Sequence, residues 1–263
     1  AIELDPTLPE PYAVIASHLQ YRQQWLEALN FFEESLRLDH NNATAHYWFG
    51  EHLAATGRYA DAIPHLRRAM ELDPTYEAPL SDIGLAYLTM NAFAEGSARL
   101  AETWTSGMRS PVSWMGNFIA SVVTAHFDEA RSWISDAPLD DDGKALLARF
   151  VDVQDGGHDA ALAGDLFSAP IDYRFRIWLL SRLGDYDASM ELIGALLDDG
   201  QPVDPRPLWG IGIQLYAHPD FPALMERLGL VEYWRAAAWG DVCRPTADAF
   251  VCDGHGLTPE ALD

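Results

Sequence analysis

The chain has 263 residues, of which 49% are apolar and 11% aromatic, a composition typical of a folded globular protein with a sizeable core. Its 40 acidic and 17 basic residues give a formal net charge of −23, which disfavours direct binding to nucleic acid or to an anionic membrane. No apolar run reaches the roughly 18 residues that a membrane helix needs. The acidity is compatible with a basic or mixed-charge protein partner, and also with a role in solubility alone.

Residues of the same type recur every 34 positions through the first hundred residues. Aromatic residues and then small residues follow this spacing: Trp25, Tyr59 and Phe93; Ala28, Ala62 and Gly96. Within each repeat, apolar positions separated by three and four residues predict helices. A period of this length predicts stacked helix pairs, each of which buries its apolar face against the next pair.

Three helix pairs are predicted before residue 105. The first covers 9–38, with its turn near Gln23; the second covers 43–72, with its turn at Gly57; the third begins at Glu77 and turns near Asn91. Gly57 suits a left-handed helix end. In the second pair we expect Gly50 and Ala62 to let the two helices approach closely.

These repeats resemble the tetratricopeptide repeat (TPR) family. The matching residues are Phe49, Gly50, Tyr59, Ala62 and Ala69 in the second unit and Ile83, Gly84 and Tyr87 in the third. The first unit departs from the family pattern at Ala16, Gln23 and His40. The resemblance implies an all-α, right-handed superhelix of antiparallel helix pairs, with three regular units at 1–105.

The rest of the chain is predicted to be helical but less regular. Degenerate helical repeats are expected at 106–169, with helices at 144–153 and 158–167 separated by Gly156 and Gly157. Further TPR-like helices are expected at 170–217, including one at 206–217. A C-terminal helical cap and tail, with two short helices, are expected at 218–263.

The cap carries a second resemblance. The runs that match are His218-Pro219-Asp220-Phe221, Tyr233-Trp234-Arg235 and Asp241-Val242-Cys243. They are similar to the end of bacterial signalling proteins in which TPR units follow a winged-helix DNA-binding domain or a class III nucleotide cyclase domain, and Gly240 and Val242 depart from that pattern. The resemblance implies a sensory or interaction region, and Ile2–Pro6 is similar to the end of a repeat, so we expect a fragment of a larger bacterial regulator.

Cys243 and Cys252 are the only cysteines, and their spacing with His255 does not match a zinc site. A disulfide between them is favoured, partly by the family resemblance, and would imply an oxidising compartment such as the periplasm. The alternative is two free thiols in the cytoplasm.

The resemblance places a binding groove on the concave faces of the first helices of the units. Aromatic and acidic residues predominate there, which favours a basic or apolar partner segment. For Trp48, packing against a neighbouring helix is an alternative. The candidate groove residues are Glu10, Ser17, Tyr21, Tyr47, Trp48, Glu51, Asp82 and Leu85.

Motifs for catalysis or cofactor binding are absent from the sequence. There is no Gly-x-Ser-x-Gly, no phosphate loop and no glycine-rich dinucleotide turn. His46 and His52 are six residues apart, a poor shared face for a metal. We therefore predict a non-enzymatic interaction module without cofactor or metal. Homodimerisation or a spacer role is the alternative, and an enzyme with a pocket in 105–170 or the cap is less favoured.

Overall fold

The computed structural model describes residues 2–76, 78–212, 214–247 and 249–259. Glu77, where the third unit is predicted to begin, and the end of the tail lie outside the described residues. Helices dominate the described part of the chain, and one two-stranded sheet follows them. The elements are α1 (Glu10–Tyr21), α2 (Trp25–Leu38), α3 (Ala43–Ala55), α4 (Tyr59–Leu72), α5 (Ala78–Thr89), α6 (Phe93–Thr105), α7 (Pro111–Val123), α8 (Phe127–Ser135), α9 (Asp141–Gln154), α10 (Leu162–Ser168), α11 (Tyr173–Arg182), α12 (Tyr186–Asp198), α13 (Phe221–Arg227), α14 (Leu230–Ala236), β1 (Cys243–Pro245) and β2 (Phe250–Cys252).

The first eight helices form four pairs that turn at positions 34 residues apart. Gln23, Gly57, Asn91 and Ala125 occupy these turns with φ of 59°, 76°, 59° and 59°. In every turn the next residue donates its backbone N–H to a carbonyl five residues earlier, as Arg58 does to Leu53 at 2.8 Å. This bond closes a Schellman-type helix end. The 34-residue period therefore continues into a fourth unit, α7 and α8, within the segment that was predicted to be degenerate.

Small residues set the distance between the two helices of a pair. A Cβ added at Gly50 would lie 2.7 Å from Cδ2 of Leu66, and one at Gly84 would lie 2.6 Å from Cγ of Leu100. Both leucines are fully buried. The predicted close approach at Gly50 is thus present, and a side chain there would force the helices apart.

Later helices begin at aspartate caps. Asp140 Oδ1 accepts a hydrogen bond from the backbone N–H of Gly143 at 2.9 Å and so begins α9. Asp172 and Asp185 cap α11 and α12 in the same way. The helix predicted at 158–167 begins only at Leu162, after a turn.

The prediction of a helix at 206–217 is wrong. In the described part of this stretch, residues 206–212 and 214–217, only two short 3-10 turns form, Arg206–Leu208 and Leu215–Ala217. Gly210, Ile211 and Gly212 have positive φ values of 150°, 55° and 74°, which an α-helix does not allow. The apolar residues of this stretch are buried by contacts with distant helices instead, and Leu208 and Trp209 are fully buried.

The cap contains a disulfide-linked hairpin as well as the two short helices α13 and α14. Strands β1 and β2 pair antiparallel, with Cys243 opposite Cys252. The two sulfur atoms are bonded, at 2.05 Å. The cap is therefore not purely helical, because the hairpin follows α14.

The C-terminal segment, residues 203–259, returns to the turns of the first three units. Trp25 Nε1 donates to the Leu228 carbonyl oxygen at 2.6 Å in the first unit. Trp234 Nε1 donates to the carbonyl oxygen of Thr56 at 2.8 Å in the second unit, and Asn91 Nδ2 donates to that of Leu257 at 2.7 Å in the third. The segment therefore joins the end of the superhelix to its beginning.

Candidate functional site

A cavity of about 240 Å³ lies between the first helices of successive units and the start of the C-terminal segment. Helices α3, α5 and α7 form one side of it. The N-terminal part of α11 and residues 204–211 form the other side. Pro111 and Val112 line its edge and are exposed, so the cavity reaches the protein surface there.

Part of the cavity lining is apolar. Leu85 and Ile119 stand 34 residues apart and face the cavity from α5 and α7. Phe175 and Trp178 of α11 stack with ring centroids 6.1 Å apart, and Trp178 Nε1 donates to the Ile211 carbonyl oxygen at 3.0 Å. This wall can hold a hydrocarbon group away from water.

Another part of the cavity lining carries charged groups. The Arg206 guanidinium donates to Glu51 Oε1 at 3.0 Å and to Asp204 Oδ2 at 2.7 Å. Arg174 donates to both oxygens of Asp172, at 3.0 and 3.1 Å. Both arginines therefore already have carboxylate partners.

Asp82 has a different partner. The Tyr47 hydroxyl donates to Asp82 Oδ2 at 2.9 Å. No cationic side chain in the described ranges forms a salt bridge with Asp82. Its charge is therefore less well compensated than that of Asp204.

Burial controls the protonation of these carboxyl groups. It raises the pKa of Glu51 to about 7, although Arg206 opposes the shift, and it also raises the pKa of Asp82. Burial would raise the pKa of Asp204 too, but the attraction of Arg206 outweighs it and the pKa falls below its usual range. Glu51 and Asp82 are thus the groups whose charged forms the cavity disfavours.

The structure brings together four of the eight predicted groove residues. Glu51, Asp82 and Leu85 line the cavity, and Tyr47 is bonded to Asp82. Trp48 is half-buried and packs against the core. Tyr47 is also half-buried, in edge-to-face contact with Tyr76 at 4.9 Å.

The three predicted residues of α1 lie elsewhere. Glu10 is exposed and Ser17 partly exposed, and neither lines the cavity. Tyr21 is 68% exposed and lines a separate depression formed with residues 197–202. The separation arises because the C-terminal segment reaches the first unit, where Gln23 Nε2 donates to the Val203 carbonyl oxygen at 2.9 Å.

Most of the residues that line the cavity were not predicted from the sequence. Ile119 had a usable signal, since it lies 34 residues after the predicted groove residue Leu85. Asp172 and Arg174 at the start of α11, and Asp204 and Arg206 after α12, had none, because no period in the sequence links them to the first units.

No group of three or more His, Cys, Asp or Glu side chains is arranged to hold a metal ion, within the ranges that the structure covers. The same ranges contain no helix that is both long and apolar enough to cross a membrane.

The fold and the concave cavity define a helical repeat protein, an all-α superhelix of stacked helix pairs. Residues 14–77 and 53–107 match two family models of the tetratricopeptide repeat. The N-terminal units are thus similar to tetratricopeptide repeats over residues 14–107, and proteins with such repeats generally mediate protein–protein interactions.

Solved structures resemble this fold at low sequence identity. PilW, a widely conserved type IV pilus biogenesis factor, is 16% identical with a TM-score of 0.50, over 79% of this chain and 84% of that chain. YrrB, a TPR protein with an unusual peptide-binding site, is 18% identical with a TM-score of 0.46, over 79% of this chain and 94% of that chain. No curated protein matches the sequence.

Proposed function

We propose that this protein is an interaction module that binds a segment of a partner protein across the concave faces of α3, α5 and α7. One side chain of that segment enters the cavity past Pro111 and Val112. The observation that carries the proposal is the cavity itself, which is lined by three successive repeat helices and reaches the surface at an exposed apolar edge. Grooves of this kind bind extended or helical segments through a few anchoring side chains.

The surroundings of the cavity favour a basic or apolar partner segment. Its lining combines the apolar Leu85 and Ile119 with the carboxyl groups of Glu51 and Asp82. A net charge of −23 would also attract a basic segment over a distance and speed its association.

A regulatory role in a larger bacterial protein fits the cap. The runs around His218, Tyr233 and Asp241 that resemble bacterial signalling proteins belong to the C-terminal segment. Two of them contact the repeats, through Tyr233 with Arg58 and through Asp241 with Tyr59. In this proposal the segment shapes the partner-binding surface.

Affinity capture from the source cell's lysate tests the proposal with a matched pair of variants. Val112→Arg places a long cation at the cavity edge, whereas Val14→Arg makes the same change on α1, away from the cavity. Both valines are exposed, at 39% and 56%, so neither change disturbs the core. We expect the wild type and Val14→Arg to retain the same partner and Val112→Arg to lose it.

Equal retention by the two variants would contradict the proposal, since a partner that uses the cavity must pass residue 112. Loss by Val14→Arg alone would instead assign binding to the exposed face of α1. Circular dichroism of each variant shows whether the helices are intact before capture.

A further inference from the structure

We infer that the cavity recognises a cationic group, an ammonium or guanidinium, carried on an apolar stem. The inference rests on the proposed function for the location of the site. The charged and apolar residues that line the cavity then indicate the chemistry of the group that binds.

The charge on the cavity wall is incompletely compensated. Four carboxyl groups line the cavity with only two guanidinium groups, and both arginines are already engaged with Asp172 and Asp204. Glu51 shares Arg206 through one oxygen, and Asp82 accepts a hydrogen bond only from Tyr47 among the described residues. A bound cation would supply the compensation that this wall lacks.

The chain itself shows that the wall accepts a guanidinium. Arg206 reaches Glu51 from a segment 155 residues further along the chain and lies between that carboxylate and Asp204. Asp82 lines the same cavity as Arg206. A second cation beside Arg206 would meet the carboxyl groups of Asp82 and Glu51.

The apolar part of the cavity lining fits a hydrocarbon stem. Met115, Ile119, Phe175 and Trp178 present apolar atoms to the cavity. Aromatic faces such as that of Trp178 also attract cations. Because the described residues hold no three-ligand group arranged for a metal, an organic cation fits this combination better than a metal ion.

Three small probes with the same stem test the inference on the whole chain: hexylamine, hexanol and hexanoate. Titration calorimetry near neutral pH measures their dissociation constants. We expect hexylamine to bind at least about tenfold more tightly than hexanol, because charge-assisted hydrogen bonds are added to the same apolar contacts. Hexanoate should bind more weakly than hexanol, because it brings a like charge.

Two variants locate the bound cation. Asp82→Asn keeps an acceptor for the Tyr47 hydroxyl but removes the charge, and it should weaken hexylamine binding about tenfold or more. Asp128→Asn is the matched control, because Asp128 is fully exposed on α8 and outside the cavity. Glu51→Gln gives a second test should Asp82→Asn fold poorly.

Such a cation can belong to a side chain of a protein partner or to a free amine. A capped Leu-Lys-Leu peptide distinguishes these two sources. Binding of the peptide that is lost in Asp82→Asn assigns the site to a side chain of a protein partner. If hexylamine binds and the peptide does not, the site is assigned to a free amine. That result would contradict the proposed partner segment but support the cation site.

Equal dissociation constants for hexylamine and hexanol would overturn the inference. So would the absence of binding by both hexylamine and the Leu-Lys-Leu peptide. So would equal hexylamine binding by Asp82→Asn, Glu51→Gln and Asp128→Asn. These outcomes leave the proposed function standing if Val112→Arg still loses the captured partner, so the two failures are distinguishable.

Discussion

Glu51 lies where its charged form is disfavoured, and this has a consequence for stability. Its pKa rises from 4.5 to about 7 in the folded chain because the side chain is largely removed from water. A carboxyl group whose folded pKa is raised contributes stability below its unfolded pKa, and that contribution is lost as the pH rises through the folded value. Ionisation of Glu51 therefore destabilises the fold between pH 4.5 and about 7.

We expect Glu51→Gln to gain stability relative to the wild type as the pH rises. The difference in unfolding free energy between the two proteins should change by about 1–3 kcal/mol from about pH 5 to about pH 8, in favour of the variant. Urea denaturation followed by tryptophan fluorescence measures it. Glu95→Gln on the exposed surface of α6 is the control. A wild-type advantage that stays constant with pH would contradict this account of Glu51.

Gly240 marks a point where two backbones meet. A Cβ there would lie 2.8 Å from the carbonyl oxygen of Gly57, in the turn between α3 and α4. The next residue, Asp241, donates its backbone N–H to that same oxygen at 2.7 Å. The C-terminal segment therefore needs a residue without a side chain to reach this turn.

Gly240→Ala should destabilise the protein by about 1–3 kcal/mol, because neither backbone can move away without losing this hydrogen bond. Gly164→Ala is the contrasting variant, since nothing lies within 4 Å of a Cβ at this helical position. It should be neutral or stabilise by up to about 1 kcal/mol. Thermal denaturation compares the two, and equal melting temperatures would show that the contact at Gly240 is unimportant.

At the residue level, the sequence predicted where the turns of the repeats fall better than it predicted which side chains distant segments bury. Gly57 is a recognisable left-handed helix end, but Gln23, Asn91 and Ala125 adopt the same conformation without being glycine. The period, rather than the residue type, identifies those turns. The raised pKa of Glu51 has no local signal, because it depends on burial by distant segments.

Among the helices, α4 begins without a capping side chain of its own. Arg58 precedes it and makes no side-chain cap. Asp241 supplies the acceptor from the other end of the chain, since its Oδ2 accepts from the backbone N–H of Tyr59 at 2.6 Å and of Ala60 at 3.3 Å. The C-terminal segment thus completes a helix of the second repeat.

Asp241→Ala should lower stability by about 1 kcal/mol or somewhat more, as the loss of an N-cap does in other helices. Asp241→Asn keeps an oxygen in the same place and should recover much of that loss. Denaturant titration of both variants tests this. If alanine and asparagine are equally destabilising, the hydrogen bonds to Tyr59 and Ala60 do not stabilise α4.

Helices with regular spacing were predictable, and irregular elements were not. The helix pairs of the first three units follow from apolar spacing, and a fourth pair follows from the same period. Residues 206–217 have an apolar pattern but do not form a helix, because Gly210 and Gly212 adopt positive φ. Their apolar side chains pack against other helices, as Trp209 does when it donates to the Ala55 carbonyl oxygen at 3.2 Å.

For the whole molecule, the main departure from the sequence-based expectation is that the C-terminal segment packs back onto the first units and closes the groove. A binding groove on the concave faces of the first three units was predicted, but the C-terminal segment contacts the turns of all three. It leaves a bounded cavity at Glu51, Asp82 and Leu85 and separates it from Tyr21. Contacts between residues more than 150 positions apart leave no periodic signal in a single sequence, so this closure could not be predicted.

Hydrogen–deuterium exchange of the chain, alone and saturated with its captured partner, tests most directly whether the cavity is the binding site. We expect slower exchange in α5, at the start of α7 and in residues 204–211, with the outer helices α6 and α8 unchanged. Protection confined to α1 or to the outer helices, with no change around Val112 and Leu85, would contradict it.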